Sequence, residues 1–599
     1  MPVYPPRSRV EKHQTWNAES VFAGEAAWEA ERKGILESLD SIRKFQGHLG
    51  NSPSMLREAL NARDELFVRA QRLYMYASFA QAVDTTDRKA SGMQGRAASM
   101  NGQVAGAIAF FAPELIHLGH GRLREWMQQD PQLAVYAHSI DDLFRRQAHV
   151  RSGEIEELLG MLTDPFDGPS NTASMLTNAD FKFLPAVSGT GTGLVVTQSS
   201  LSRILLGADR TARQSAWNHY MDRYVEFKNT LASNLITSMK ADVLRARARQ
   251  HDSSLAASLF DNNVPVEVFH NLLDRFKRHL PVWHRYFDLR RRALRQRDLA
   301  YYDMWAPLGR KKVKLSFAQA VDMISQGLAP LGREYTDALR RGCLEQRWVD
   351  WVPNKGKAYG AFSYGAPGTH PFIMMSFTDE VESMSNLAHE LGHSMHSYLT
   401  WKHQPLVYSD YSLFIAEVAS NFHQAMVRSH LLKTSTDTAF QIAVIEEAMG
   451  NFFRYFFQMP TLARFELETH RRIEKGESLT ADDMLELMAD LFAEAFGPKV
   501  KIDRPRVGMV WSTFGHLFAN YYIYQYATGI SGAHALSSRI LRGEKGAADD
   551  YLGFLTAGSS AYPLDVLKQA GVDLASPKPV EETFAVMEEY IDRLEKLLS

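Results

Sequence analysis

The chain has 599 residues, 45% of them hydrophobic and 23% charged, with 67 Lys and Arg against 69 Asp and Glu. This length supports several packed cores, and a formal charge of -2 leaves no electrostatic footprint for nucleic acid or an anionic membrane surface. Its one cysteine, Cys343, excludes an intrachain disulfide, a cysteine zinc site and a dithiol redox pair, and points to a reducing, cytoplasmic compartment.

Residues 1–20 contain arginines, prolines and glutamates but no apolar core, so no secretory leader is expected. The most apolar run, 104–116, is too short to span a bilayer and carries Pro113. From about 18 to 201 apolar residues recur at three- and four-residue intervals, as in Leu36, Leu39, Ile42 and Phe45, which predicts helices separated by turn clusters such as 47–53 and 164–172. Tyr74, Tyr76 and Phe79 are expected in the core. Residues 183–196, with Gly189, Gly191 and Gly193, read as a glycine-rich turn into a short strand. Val195 and Val196 stand where a phosphate loop would need its third glycine. Helices return over 202–296, and the arginine-rich run 285–297 reads as a solvated helix face. A boundary near 200 would divide an N-terminal helical domain, 1–200, from a catalytic domain, 201–599.

Residues 348–377 break the helical rhythm, and Lys357 to Tyr364, a Gly-Ala-Pro-Gly turn, and Phe372 to Phe377 predict strand, turn and strand. An exposed strand edge would let an extended peptide pair its backbone there, and Gly360, Ala361 and Phe362 are the substrate-binding candidates, the first two being small enough for close approach.

Next comes Asn386-Leu387-Ala388-His389-Glu390-Leu391-Gly392-His393-Ser394-Met395-His396, inside a proline-free stretch preceded by cap-type residues at 376–380. On a helix, His389 and His393 lie four apart on one face, where both imidazoles reach one metal ion while Glu390 holds a water. His396 is seven residues past His389, about 10 Å along the axis, and is expected to support the site or pack within the helix. A metzincin pattern fails, since it needs glycine at 396 and histidine where Leu399 stands. Catalytic zinc takes three protein ligands and a water, so a third ligand must come from elsewhere. Glu417, alone among apolar neighbours, is the choice because a buried carboxylate needs a compensating charge; Asp410 and His423 are the alternatives. Two imidazoles and a carboxylate also hold cobalt, manganese or copper, with zinc the expected ion.

Residues 451–497 alternate aromatic-rich and acid-rich helical segments. Residues 508–529 follow, with His516, Tyr522, Tyr524 and Tyr526 as possible donors to an oxyanion beside the metal. On one straight helix His516 would not share a face with Tyr526, so joint action requires a bend between them.

These residues carry a resemblance that spans nearly the whole chain. Trp16 with Phe22 and Trp28, Asn178-Ala179-Asp180-Phe181, Tyr302-Asp303 with Pro307, and Gly356-Lys357 with Gly360-Ala361-Phe362-Ser363 contribute to it. So do the His389 to His396 run, Ala416-Glu417-Val418-Ala419-Ser420, and Tyr524-Gln525-Tyr526-Ala527-Thr528-Gly529. Together they resemble the thimet oligopeptidase family of zinc metallopeptidases, in its oligoendopeptidase branch. The resemblance implies a mainly α, two-lobed peptidase with a deep substrate channel and a small β-sheet beside the zinc site. It implies one Zn2+ per chain, held by His389, His393 and Glu417, with Glu390 as base. His516 and Tyr526 resemble the family's substrate-binding histidine and oxyanion-stabilising tyrosine, and their shorter spacing here leaves Tyr522 and Tyr524 as substitutes.

The expected reaction is hydrolysis of internal bonds in short unfolded oligopeptides, with Glu390 activating the water and then protonating the leaving amine. An exo-acting zinc peptidase, either a dipeptidyl carboxypeptidase or an aminopeptidase, uses the same motif and stays open. So does a peptide-binding protein with a structural metal, although such a site has no need of Glu390.

Overall fold

Side-chain caps open many of the helices. Ser52 accepts a hydrogen bond from the Met55 amide, with Pro53 in the first turn, and starts the helix Pro53–Val83. Asp87 accepts from the Lys89 amide and starts Arg88–Ile108. Each cap satisfies amides that a first turn leaves without partners, and apolar residues at helical spacing then bury one face. The computed structural model describes residues 4–309 and 313–599, and in it the chain is mainly α with three small sheets among the described residues. Residues 1–3, at the head of the stretch read for a leader, lie outside them. No described helix is long and apolar enough to cross a membrane.

Two compact units form, each from three chain segments: 1–148, 314–430 and 536–571 make the first, and 149–313, 431–535 and 572–599 the second. In the first, helices Glu25–Arg43, Pro53–Val83 and Arg88–Ile108 enclose a core containing Trp28, Leu39, Ile42, Leu73 and Met100. Trp28 Nε1 donates to the Leu73 carbonyl at 2.9 Å, so even this buried indole is satisfied. Tyr74 and Tyr76 pack against this core, as expected, while Met75 and Phe79 leave the same helix toward a second cluster. There Phe79 lies 4.2 Å from Trp16 and 5.3 Å from Phe372, ring centre to ring centre, and fastens the long helix to a three-stranded sheet.

That sheet has the strand order Val349–Asp350, Phe372–Met374, Phe362–Tyr364. The last pair is antiparallel, with Ser363 opposite Ile373, so the predicted strand-turn-strand forms and leaves Phe362–Tyr364 at an edge. Asp350, fully buried, accepts from Arg7 Nη1 at 2.9 Å and Lys357 Nζ at 2.7 Å. Lys357 is therefore structural: it neutralises a carboxylate inside the sheet.

The second unit is helical around an aromatic core. Trp283 and Phe287 meet Phe453, Phe457 and Phe496, with Phe457 and Phe496 centred 4.8 Å apart. The glycine-rich segment forms a hairpin of Ala186–Val187 against Gly193–Leu194. The arginine-rich run is largely a solvated face, as expected, with Arg285, Arg292, Arg295 and Arg297 exposed. Two of these also reach acids of the C-terminal helix Lys578–Leu598, Arg285 pairing with Asp592 at 2.6 Å and Arg292 with Glu595 at 2.6 Å. Arg290 is buried and donates to the Asp303 carbonyl at 3.0 Å.

Candidate active site

The His-Glu-x-x-His stretch lies on the helix Val381–His403 of the first unit. Its start differs in detail from the expected cap: Glu380 makes no side-chain cap, and instead the Ser383 hydroxyl accepts from the Thr378 amide at 3.1 Å. A polar connection leads into the helix Leu413–Thr434, which carries Glu417. The two helices touch backbone to backbone at Gly392, where a Cβ would lie 2.5 Å from the Ala419 carbonyl oxygen and 2.6 Å from the Ser420 Cα. This close crossing puts Glu417 beside the histidines.

Ligand atoms of His389, His393 and Glu417 lie within 4.8 Å of one another, and this is the only such group of three or more among the described residues. His389 Nε2 and Glu417 Oε2 are 3.3 Å apart. On its other side, His389 Nδ1 lies 3.2 Å from Gln424 Oε1, which leaves Nε2 facing Glu417. The rings of His389 and His393 stand edge to face with centres 5.0 Å apart.

Burial opposes charge on every group here, and the neighbours decide the outcome. Burial alone would lower His389, yet the Glu417 carboxylate raises it to about 9. Burial would raise Glu417, yet the same partner holds it down to about 2. His393 is pushed down to about 4 by burial, which keeps its ring neutral. Glu390 is pushed up to about 7, chiefly by burial, while the Ser363 backbone amide donates to it and pulls the other way.

Of the other ligands considered, His423 gives its Nε2 to the Tyr335 hydroxyl at 2.5 Å, and Asp410 accepts from the Tyr411 amide at 2.8 Å. Neither joins the cluster. His396 is fully buried and stacks on Tyr411 with ring centres 3.6 Å apart, so it packs beside the site. Gly360 takes a positive φ of 95° just before Ala361 and the edge strand, and Phe362 packs toward Trp16 with ring centres 6.2 Å apart.

His516, Tyr522, Tyr524 and Tyr526 belong to the second unit. The backbone does bend between them. His516 is on a short 3-10 turn, Gly515–Phe518, Tyr521 has a φ of 47°, and a regular helix begins only at Tyr524. The bend gathers three of the four: the Tyr522 and Tyr526 hydroxyls are 3.1 Å apart, and His516 lies 5.9 Å from each ring, centre to centre. Tyr524 is outside this group. It is 2% exposed and packs edge-on against Phe269.

Sequence reasoning missed Gln424 and Gly392. Gln424 lies seven residues beyond Glu417, two helical turns along the same face, and that spacing was the only signal available. The donor set suits a divalent ion that accepts nitrogen and oxygen ligands: two imidazoles, one neutral and one turned inward by an acceptor at its far nitrogen, with one carboxylate.

The family model described as Peptidase family M3 matches residues 205–586, and one described as Oligopeptidase F matches residues 114–183. The chain is similar to Oligopeptidase PepF of Bacillus subtilis, at 38% identity over 99% of this chain and 88% of that protein. It is also similar to Group B oligopeptidase PepB of Streptococcus agalactiae, at 32% identity over 99% of this chain and 98% of that one. Among solved structures, oligoendopeptidase-F from Enterococcus faecium superposes with a TM-score of 0.75 at 28% identity, covering 97% of this chain and 99% of that chain.

Proposed function

The chain belongs to peptidase family M3 and is a metallopeptidase of the oligoendopeptidase type, and from that premise we propose a zinc-dependent endopeptidase that cuts internal bonds of short unfolded oligopeptides. The convergence of His389, His393 and Glu417, with buried Glu390 alongside, carries the reading.

In the proposed mechanism His389, His393 and Glu417 would hold the ion. A bound zinc ion supplies Lewis acidity, which acidifies water and polarises a carbonyl. Glu390 takes the proton from the attacking water and returns it to the leaving amine. Its upward shift to about 7 favours this double duty, because a group that both accepts and donates works best near the operating pH. The substrate backbone would pair along the outer edge at Phe362–Tyr364, where the Ser363 amide donates to Glu390, with Gly360 and Ala361 offering little steric bulk. Tyr526 and His516 would donate to the oxyanion, with Tyr522 next in line; this rests on the resemblance and on their grouping. The deep channel, the division at residue 200 and a cytoplasmic location belong to the same reading.

Mass spectrometry of a digested nonapeptide tests it. Fragments from internal cuts are expected at the earliest times; stepwise loss of residues from either end would favour the exo-acting alternative. Zinc content of Glu417→Ala tests the ligand set, since occupancy should fall and unchanged content would reject Glu417.

A further inference from the structure

We propose that Gln424 is a positioning residue for the metal centre, holding His389 in the ring orientation and tautomer that offers Nε2 to the ion. The inference rests on the metal-site reading above. Gln424 Nε2 donates to the Ser385 hydroxyl at 2.9 Å and to the Ser385 carbonyl at 3.3 Å. A carbonyl only accepts, so the amide nitrogen must face Ser385 and the amide oxygen must face His389. That oxygen, 3.2 Å from His389 Nδ1, also only accepts, and the ring must therefore carry its proton on Nδ1. In the neutral, ion-binding form of the ring the lone pair is then on Nε2, the atom 3.3 Å from Glu417 Oε2.

Position and burial make this more than a chance contact. Gln424 is 3% exposed and Ser385 4%, so bulk water does not compete for the bonds. Ser385 precedes His389 by one turn on its helix, and Gln424 follows Glu417 by two turns on the other. One side chain thus ties both ligand-bearing helices together beside His389. A neutral amide accepts the imidazole proton where a carboxylate commonly does, and it leaves the ring a weaker base. A carboxylate there is a stronger acceptor for the Nδ1 proton, and the Ser385 hydroxyl can turn to donate to its second oxygen in place of the lost amide bonds, so the substitution should strengthen the ligand.

The test measures Zn2+ affinity of the full chain by chelator competition for the parent, His389→Ala, Gln424→Leu and Gln424→Glu, together with 15N imidazole shifts that report the His389 tautomer. His389→Ala should abolish tight binding, Gln424→Leu should weaken it by about 10–100-fold, and Gln424→Glu should match or exceed the parent. With zinc bound, the parent should show His389 protonated on Nδ1 alone, a signature that a purely structural glutamine would not govern. If Gln424→Leu binds zinc like the parent while His389→Ala does not, the positioning role is overturned and the metal site stands. If both Gln424 variants weaken binding equally, the residue serves packing and the proposal fails. A parent chain without zinc affinity, or one indifferent to His389→Ala, overturns the site reading itself. Should Gln424→Leu not fold, Gln424→Glu decides: parent-like or tighter binding supports the proposal, and a tenfold loss refutes it.

Discussion

Gly392 and Ala419 bring two helices into backbone contact, with the Ala419 carbonyl oxygen 2.5 Å from where a Gly392 side chain would begin. Neither backbone can yield without separating the helices, because both segments are buried. Gly392→Ala should therefore cost about 1–3 kcal/mol of stability and weaken zinc binding, with Gly392→Val worse. Thermal melts and zinc titrations check this, and a Gly392→Ala protein with parent-like affinity would show that the crossing does not set the ligand geometry.

Asp350 is buried with Lys357 and Arg7 as its cationic partners. Removing Lys357 leaves the buried Asp350 with Arg7 alone, so Lys357→Met should destabilise the chain, by less than the about 3–5 kcal/mol of a fully broken buried pair. Lys357→Met combined with Asp350→Asn should recover part of that loss. Urea unfolding of the single and double variants measures both, and additive losses would contradict the pairing.

Glu466 is fully buried in the second unit, where it accepts the Tyr521 amide at 2.8 Å, and burial pushes it up from 4.5 to about 8. An unfolded chain releases this proton near 4.5, while the folded chain keeps it until about 8. Over that interval the folded state binds more protons, so this group's stabilisation is complete below the interval and is lost as pH rises through it. Neighbouring His470, which burial would lower but Asp242 at 3.7 Å holds up, acts in the same direction. Glu466→Gln should flatten the decline in unfolding free energy between pH 5 and about pH 8.5. Parallel curves for parent and variant would contradict the shift.

Tyr526 shares a hydrogen bond with Tyr522 at 3.1 Å and stacks on Tyr455. Tyr526→Phe keeps the stack and removes the hydroxyl. If that hydroxyl serves the oxyanion, kcat should fall by about 100-fold or more with little change in KM. An equal loss for Tyr522→Phe with none for Tyr526→Phe would transfer the role.

What the amino-acid sequence reveals here depends on how local the cause is. His389 and His393 sit on one face because of helical spacing alone, and Glu417 stands out as a lone acid in apolar company. The bend after His516 could be anticipated because a straight helix cannot align it with Tyr526, but the residue that makes the turn, Tyr521 at positive φ, carries no sequence signal. Features that depend on distant partners were hidden. Arg285 and Arg292 read as solvated and stay exposed, but their ion pairs with acids about 300 residues later carry no local signal. Gln424 and Gly392 acquire meaning only when two helices cross.

The most direct test is Glu390→Gln, with zinc content and peptide turnover measured on the same preparation. Zinc should remain at one ion per chain, because His389, His393 and Glu417 are untouched, while kcat should fall by about 100- to 10,000-fold. Peptide cleavage at the parent rate would contradict Glu390 as the base.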